Sequence, residues 1–179
     1  MSLELEARIF ATEAHASIGQ KRKYTGEDYI VHPERVVQLL TLVKHTPEML
    51  AAGWLHDVVE DVKSVSISMI RDKFGNRVAS LVAQVTDVSK PSDGNRKTRK
   101  SIDLHHLSKA DAEGKTIKLA DIADNSLSIE RYDPDFSKVW RYEKCALLSV
   151  LMEGDPQLYY VCQKQLDDVV ITAIREALK

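Results

Sequence analysis

The sequence has little of what marks a secreted or membrane protein. Two cysteines in 179 residues, with no C-x-x-C pair, cannot supply a disulfide framework, and we expect Cys145 and Cys162 to be free core thiols. No apolar run approaches the length of a membrane span, and the first residues carry acids where a signal peptide would be basic and then apolar. We therefore expect a soluble, cytoplasmic protein with no membrane partner.

A strong net charge is also absent. The 25 lysines and arginines against 27 aspartates and glutamates give a formal net charge of −2. This balance argues against a nucleic-acid-binding protein overall, although it allows local basic clusters. The hydrophobic content of 44% is ordinary for a globular protein, and we expect one domain over residues 1–179 whose core needs no disulfide or structural metal.

Sustained alternation of apolar and polar residues, the pattern of β-strands, is missing as well. Apolar residues recur instead at spacings of three to four, which predicts an all-α fold. The predicted helices span about 3–18, 33–45, 47–62, 67–74, 77–88, a segment after residue 100, 116–129, 135–153 and 156–177. Thr46 is the predicted N-cap of the third helix, and the polar interval 89–100 is the predicted long loop.

The segment Trp54–Asp61 places a His-Asp pair one helical turn before an acidic pair. In a continuous helix His56 lies below Glu60 and Asp57 below Asp61, so these side chains form two parallel columns. Apolar neighbours predict burial, where unpaired charge is costly. Taken alone, the segment is more often explained by a solvated acidic helix face, so other residues must converge on it to make a site.

Two further segments supply such residues. His32 directly precedes Pro33 at a predicted helix start, which suits either a rigidly held ligand or a surface histidine. Asp121 and Asn125 share a face of an otherwise apolar helix, where a carboxylate needs a cation, hydrogen-bond donors or an arginine partner. The candidate metal ligands are His32, His56, Asp57 and Asp121. Two imidazoles and two carboxylates suit a divalent ion such as Mn²⁺, Zn²⁺ or Fe²⁺.

Basic residues cluster in two places, directly after the first helix and at the end of the polar interval. A solvated loop is the common explanation of each cluster, and binding of an anionic ligand is the alternative. With a metal site, the natural chemistry is hydrolysis at phosphorus, in which Glu60 and Asp61 orient water or move its proton. The candidate phosphate-binding residues are Arg22, Lys23, Arg96, Lys97, Arg99 and Lys100.

Four ordered blocks resemble the HD-domain hydrolases of the RelA/SpoT type, and particularly the small alarmone hydrolases. The blocks are Ala14-His15 through Gly26–Val31, then His32-Pro33, His56–Asp61 and Lys118–Asn125, within roughly the first 130 residues. The resemblance implies an HD-domain helical bundle of about eight to ten helices. It also implies removal of pyrophosphate from the 3′ position of ppGpp or pppGpp, giving GDP or GTP. No synthetase domain follows in this sequence, so we expect hydrolysis only.

The resemblance also implies a role for each matching position. Those matching the four candidate ligands bind Mn²⁺ in that family, with Zn²⁺, Fe²⁺ or Co²⁺ as alternatives, and those matching Glu60 and Asp61 serve the catalytic water. The position matching Arg22 stacks on the guanine base, and the one matching Asn125 lines the nucleotide pocket. Asp124 departs from the basic or bulky run that is common in the family, and we expect this extra acid to alter base recognition.

Two alternatives remain open. The chain could be an HD phosphohydrolase for another phosphorylated nucleotide, such as a nucleotide monophosphate or a nicotinamide dinucleotide phosphate. It could also be a catalytically silent module that senses a nucleotide, although the presence of both Glu60 and Asp61 argues against this. The expected partner is a small nucleotide, and the sequence leaves a homo-oligomer open.

Overall fold

A computed structural model describes residues 1–177 of the chain, with side-chain surroundings for residues 1–167. Within this part the chain forms nine α-helices and no strand, apart from one antiparallel bridge between Lys21 and Asp28. The helices are α1 (Leu3–Ser17), α2 (Val31–Thr41), α3 (Pro47–Leu55), α4 (Val58–Asp61), α5 (Ile67–Val85), α6 (Arg96–Leu107), α7 (Ala112–Tyr132), α8 (Pro134–Val150) and α9 (Pro156–Ala177). The predicted all-α fold is confirmed.

The helix starts follow from local sequence. The Thr46 hydroxyl caps α3 by accepting from the Met49 N–H, as predicted, and Pro47 occupies the first turn, where no backbone donor is needed. Asn95 caps α6 in the same way, so the helix begins at Arg96. The sequence had placed the basic run at 96–100 at the end of a long loop. In the structure this run forms the start of a helix.

Helix α3 lies at the centre of the bundle. Its residues Met49–Leu55 are all buried, and it packs against α1, α2, α5 and α7. Gly53 allows α2 to approach closely, because a Cβ atom there would lie 2.8 Å from Leu40 Cδ1 and 3.0 Å from Val37 Cγ2. This close packing holds α2, the helix that carries His32, against α3.

The predicted single helix over 47–62 is wrong at its middle. A two-residue turn at His56-Asp57 separates α3 from α4. The His56 ring donates from Nδ1 to the Gly53 carbonyl at 2.8 Å, and this is the carbonyl that the Asp57 N–H would use in an unbroken helix. His56 and Asp57 nevertheless keep right-handed helical backbone angles, and the Asp61 N–H bonds to the Asp57 carbonyl at 3.0 Å.

Other boundaries also differ in detail. The predicted break near residue 75 is confirmed, because Gly75 adopts φ +87° and kinks α5. Helix α7 begins at Ala112, four residues before the predicted start, with Asp111 as its cap. Cys162 is buried as expected, whereas Cys145 is exposed and not part of the core. No helix in the described part of the chain is long and apolar enough to cross a bilayer.

Candidate metal and phosphate site

The four candidate ligands meet where α2, the α3–α4 turn and α7 come together. His32 Nε2 lies 3.2 Å from His56 Nε2, 3.2 Å from Asp121 Oδ1 and 3.4 Å from Asp57 Oδ2. His56 Nε2 lies 3.1 Å from Asp57 Oδ2 and 3.9 Å from Asp121 Oδ1. His32, His56 and Asp57 each offer one ligand atom within 4.8 Å of the others. This group could hold a metal ion, and Asp121 Oδ1 lies beside it.

The outer nitrogens of both imidazoles are hydrogen-bonded to acceptors. His32 Nδ1 lies 2.7 Å from Asp124 Oδ2, and His56 Nδ1 lies 2.8 Å from the Gly53 carbonyl oxygen. A carboxylate or carbonyl oxygen only accepts, so Nδ1 donates in each ring, and when the rings are neutral each Nε2 presents a lone pair to the centre. Two lone pairs 3.2 Å apart beside carboxylate oxygens require a positive charge between them. The donor set therefore fits a divalent cation.

The pKa shifts show the same demand for positive charge. Burial alone would lower the pKa of His32, but hydrogen bonds to Asp121 and Asp124 and the charge of Asp57 outweigh it and raise the pKa to about 9. Burial would raise the pKa of Asp57, but the charge and hydrogen bond of His56 hold it well below its usual range. In the metal-free chain, protons on the imidazoles supply the charge, and a divalent ion would displace them.

Three further side chains bond to the carboxylates of the candidate ligands. The Tyr29 hydroxyl donates to Asp57 Oδ2 at 2.7 Å. Lys118 Nζ lies 2.8 Å from Asp121 Oδ2, and the Asn125 amide donates to Asp121 Oδ1 at 2.6 Å. Asp121 thus pairs with a lysine and an amide, where the sequence had offered an arginine as the simple alternative to a metal. Lys118 and Asn125 lie three and four residues from Asp121, so helical spacing accounts for both contacts, although the sequence had pointed only to the face shared with Asn125.

A cavity of about 800 Å³ opens from this cluster between α6, α7 and α8. Asp57, Glu60, Lys118 and Asp121 lie at its inner end, and α8 contributes an apolar wall that includes Val139, Trp140 and Leu147. The volume is in the range of small-molecule sites and is sufficient for a nucleotide.

The two acidic residues after the turn point in different directions. Glu60 lines the cavity, and its Oε2 accepts from the Asp87 N–H at 3.3 Å. Although part of the side chain is exposed, burial of the carboxyl group and the charges of Asp87 and Asp57 raise its pKa to about 7. Asp61 is not part of the cavity wall, and its Oδ2 accepts from the Gln20 amide at 2.8 Å. Burial also raises the pKa of Asp61.

The first turn of α6 brings three of its predicted basic residues to the cavity. Arg96 is held by two hydrogen bonds of 2.7 and 2.8 Å to Glu143, and Lys100 Nζ lies 2.7 Å from Asp87 Oδ2. Lys97 also lines the cavity and makes no hydrogen bond or ion pair with any residue that the structure describes. Lys97 is therefore the best placed of the three to meet an anion.

The other basic candidates lie outside the cavity wall. Lys23 is 71% exposed and pairs with Asp133 at 3.2 Å. Arg99 lies between Lys97 and Lys100 on α6 but does not line the cavity, and its buried Nε has no hydrogen-bond partner among the described residues. Arg22 is 12% exposed and donates to Asn125 Oδ1 at 3.0 Å. Arg22 therefore contacts the cavity-lining residue Asn125 but does not itself line the cavity.

Asp124 has a contact that the sequence did not indicate. We expected it to alter base recognition, but its carboxylate is buried against His32 and lies 3.6 Å from Arg22 Nη2. Asp87 and Tyr29 were also missed, because the first lies in a loop after α5 and the second precedes α2 in an unremarkable position. Only tertiary packing brings them to the site.

Residues 7–135 match the model of the HD domain family. The chain belongs to the HD-domain family. The match covers most of α1 and all of α2 to α7, and it contains all four candidate ligands, Glu60 and Asp61. Nearly all of α8, which forms the apolar wall of the cavity, lies beyond the matched HD domain.

Several curated relatives share this HD domain. The chain is 36% identical over 132 residues to a probable guanosine-3′,5′-bis(diphosphate) 3′-pyrophosphohydrolase of a Synechocystis species, a match that covers 72% of this chain and 17% of the relative. It is 34% identical over 116 residues to the guanosine-3′,5′-bis(diphosphate) 3′-pyrophosphohydrolase of Aquifex aeolicus, covering 65% of this chain and 16% of the relative. The chain thus spans less than a fifth of the length of these proteins.

Solved structures with the same fold include a metazoan ortholog of SpoT, described as hydrolysing ppGpp. It matches with a TM-score of 0.82 at 24% identity and covers 94% of this chain and 96% of its own. A protein from Listeria monocytogenes matches with a TM-score of 0.64 at 24% identity, covering 80% of this chain and 98% of its own. At this identity the two structures establish the shared fold.

Proposed function

We propose that this HD domain is a divalent-metal-dependent hydrolase that removes the 3′-pyrophosphate of ppGpp or pppGpp, giving GDP or GTP and pyrophosphate. The observation that carries the proposal is the convergence of two imidazoles and two carboxylates at the inner end of a cavity that basic residues line. The names of the relatives in Synechocystis and Aquifex aeolicus favour this substrate over other phosphorylated nucleotides.

The metal would be held by His32, His56, Asp57 and Asp121. We propose Mn²⁺, because a mixed imidazole and carboxylate set suits an ion of intermediate hardness, with Zn²⁺, Fe²⁺ and Co²⁺ as alternatives. A bound divalent ion supplies Lewis acidity, which makes water more acidic and polarises a phosphoryl oxygen. Asp124 and the Gly53 carbonyl orient the two imidazoles, and Tyr29 and Lys118 orient the carboxylates.

Glu60 is the proposed acid and base. It lies in the cavity, and a pKa of about 7 lets its carboxylate accept a proton from water and return it to the leaving ribose oxygen near neutral pH. Asp61 is the proposed second acidic group, which would help to orient the water.

The first turn of α6 is the proposed phosphate-binding surface. Lys97 would contact the nucleotide directly, while Arg96 and Lys100 would exchange their bonds to Glu143 and Asp87 for phosphate oxygens. Lys23 and Arg99 lie outside the cavity and remain weaker candidates for phosphate binding. Asn125 forms part of the wall, and Arg22 would stack on the base only after leaving Asn125.

Metal dependence and the ligand set are tested together. His56→Ala and Asp121→Ala should each abolish Mn²⁺ binding in calorimetry and hydrolysis of ppGpp, because each removes a ligand from a four-group site. Asp72→Ala, an exposed change on α5, is the control and should alter neither. Full activity in His56→Ala would contradict the proposed metal site.

The remaining expectations belong to the same proposal. We propose that residues 1–179 act as one domain, that the substrate is a small nucleotide and that the protein works in the cytoplasm. Release of orthophosphate from a nucleotide monophosphate or a nicotinamide dinucleotide phosphate, without pyrophosphate from ppGpp, would identify the alternative enzyme. Binding of ppGpp without turnover in the presence of Mn²⁺ would identify the silent sensor.

A further inference from the structure

A hydrogen-bonded chain connects the end of α1 to Asp61. His15 Nδ1 lies 2.7 Å from Gln20 Oε1, and Gln20 Nε2 donates to Asp61 Oδ2 at 2.8 Å. His15 is 1% exposed, and its other ring nitrogen, Nε2, has no hydrogen-bond partner among the described residues. The function proposed above gives no role to His15 or Gln20.

The direction of this chain follows from its two ends. An ionised carboxylate only accepts, so the Gln20 amide must turn its NH₂ group toward Asp61 and its carbonyl toward His15. The His15 Nδ1 must then carry the proton. Burial lowers the pKa of His15, which favours the neutral ring with an unprotonated Nε2.

An amide is a suitable group for holding a carboxylate that must stay reactive. A lysine or arginine at the same place would fix Asp61 but also cancel its charge, whereas the Gln20 amide donates without adding a positive charge. Asp61 Oδ1 makes no hydrogen bond to any residue that the structure describes, so one oxygen is anchored and the other remains available. The backbone N–H of Asp61 bonds to the Asp57 carbonyl at 3.0 Å, which keeps this carboxylate next to the metal-ligand turn.

We propose that His15 and Gln20 are positioning residues that hold the Asp61 carboxylate in its working orientation without neutralising it. The inference rests on the proposed hydrolysis, because it assigns these residues to one acidic group of that site. Neither residue needs to touch the substrate or the metal.

Kinetics on the Mn²⁺-loaded enzyme test the proposal. Gln20→Met and His15→Phe preserve side-chain bulk but break the chain, and each should lower kcat by up to about 100-fold, as expected for a misplaced reacting group, with KM within twofold. His15→Asn should restore most of the rate, because its amide nitrogen can occupy the place of Nδ1. Equal losses in His15→Phe and His15→Asn would overturn the proposal.

A double-mutant cycle separates positioning from general damage. If Gln20 acts through Asp61, Gln20→Met should add little to the loss caused by Asp61→Asn, whereas independent effects would multiply. If the loss of rate in the double variant equals the product of the losses in Gln20→Met and Asp61→Asn, the proposal is overturned, even though both single variants are slow. Thermal unfolding and metal titration of the same proteins should give values close to wild type.

A measurement that does not depend on catalysis tests the role of His15 and Gln20 separately from the proposed function. Nitrogen NMR of the Zn²⁺-loaded protein should show His15 as the neutral Nδ1–H tautomer, and Gln20→Met should change that signal while leaving His45 unchanged. Observation of the Nε2–H tautomer of His15 would contradict the proposed hydrogen bonds from His15 through Gln20 to Asp61, regardless of the activity of the enzyme. Lack of turnover by the wild-type protein, with the expected tautomer present, would instead overturn the proposed function.

Discussion

His32 and Asp124 form a buried pair, with Nδ1 and Oδ2 2.7 Å apart, behind the cluster of ligand atoms. The acid that looked like a departure in the last sequence block therefore orients an imidazole and does not face the cavity. A carboxylate behind a ligand histidine fixes its tautomer and raises its basicity, so Asp124 belongs to the metal site although it is not one of the proposed ligands.

Removing this carboxylate should weaken metal binding. We expect Asp124→Asn to lower Mn²⁺ affinity by about 10- to 100-fold, as is typical for loss of an outer partner of a ligand histidine. Isothermal titration calorimetry measures the change, and Asp72→Asn on the exposed face of α5 is the matched control. An affinity equal to wild type would show that Asp124 does not support His32.

Glu60 should be needed for turnover and not for metal binding. Glu60→Gln keeps the shape of the side chain but cannot accept a proton, so we expect hydrolysis to fall by about 10²- to 10⁴-fold, the usual contribution of general acid–base catalysis. Mn²⁺ affinity should stay within a few-fold of wild type. Full activity in Glu60→Gln would remove this residue from the mechanism.

Glu60 should also change how the stability of the protein depends on pH. Its pKa of about 7 in the fold lies above the ordinary value of 4.5, so the folded chain binds a proton more tightly than the unfolded chain. The wild type should lose stability as pH rises from about 4.5 to about 7 and then level off. The Tm of metal-free Glu60→Gln relative to wild type should therefore increase across this range, and a constant difference would contradict the shifted pKa.

Loss of a basic residue from the first turn of α6 should raise KM more than loss of one from the loop after α1. Lys97 lines the cavity without a described ion-pair partner, whereas Lys23 is 71% exposed and paired with Asp133. Loss of one charge-assisted contact of about 1.5 kcal/mol should raise KM about tenfold in Lys97→Ala. Steady-state kinetics of Lys23→Ala should give KM within twofold of wild type. A larger increase in KM for Lys23→Ala than for Lys97→Ala would instead place the phosphates at the basic residues after α1.

Gly53 connects the packing of the bundle to the site. A methyl group there would lie 2.8 Å from Leu40 Cδ1, so Gly53→Ala should lower the free energy of unfolding by about 1–3 kcal/mol. The displacement of α2 should also move His32 and reduce Mn²⁺ affinity. Denaturant unfolding and metal titration measure both effects, and unchanged Mn²⁺ affinity in a destabilised Gly53→Ala protein would contradict this connection.

Residue type and spacing were enough to predict the helical fold and the four residues that converge. Thr46 and Gly75 act through local backbone chemistry, and the short-range partners of Asp121 follow from helical periodicity. The break at His56 could not be predicted in this way, because it depends on a ring that bonds to the carbonyl three residues earlier. A helical pattern continues through that point in the sequence.

Contacts between distant segments account for the other differences. Glu60 and Asp61 are adjacent in sequence, but Asp87 contacts one and Gln20 the other. The basic residues were indistinguishable by composition, and only the packing of α6 against α8 brings Lys97 to the cavity while Arg99 lies outside it. Tertiary structure determines which of these residues contact one another or line the cavity, and a local sequence pattern does not show this.

We propose above all that this site hydrolyses the 3′-pyrophosphate of ppGpp with the help of a divalent metal. The most direct test is chromatographic product analysis after metal-stripped protein is incubated with ppGpp, with and without added Mn²⁺. We predict GDP and pyrophosphate in equal amounts, only when the metal is present. Intact ppGpp after incubation of folded, Mn²⁺-loaded protein would contradict the claim.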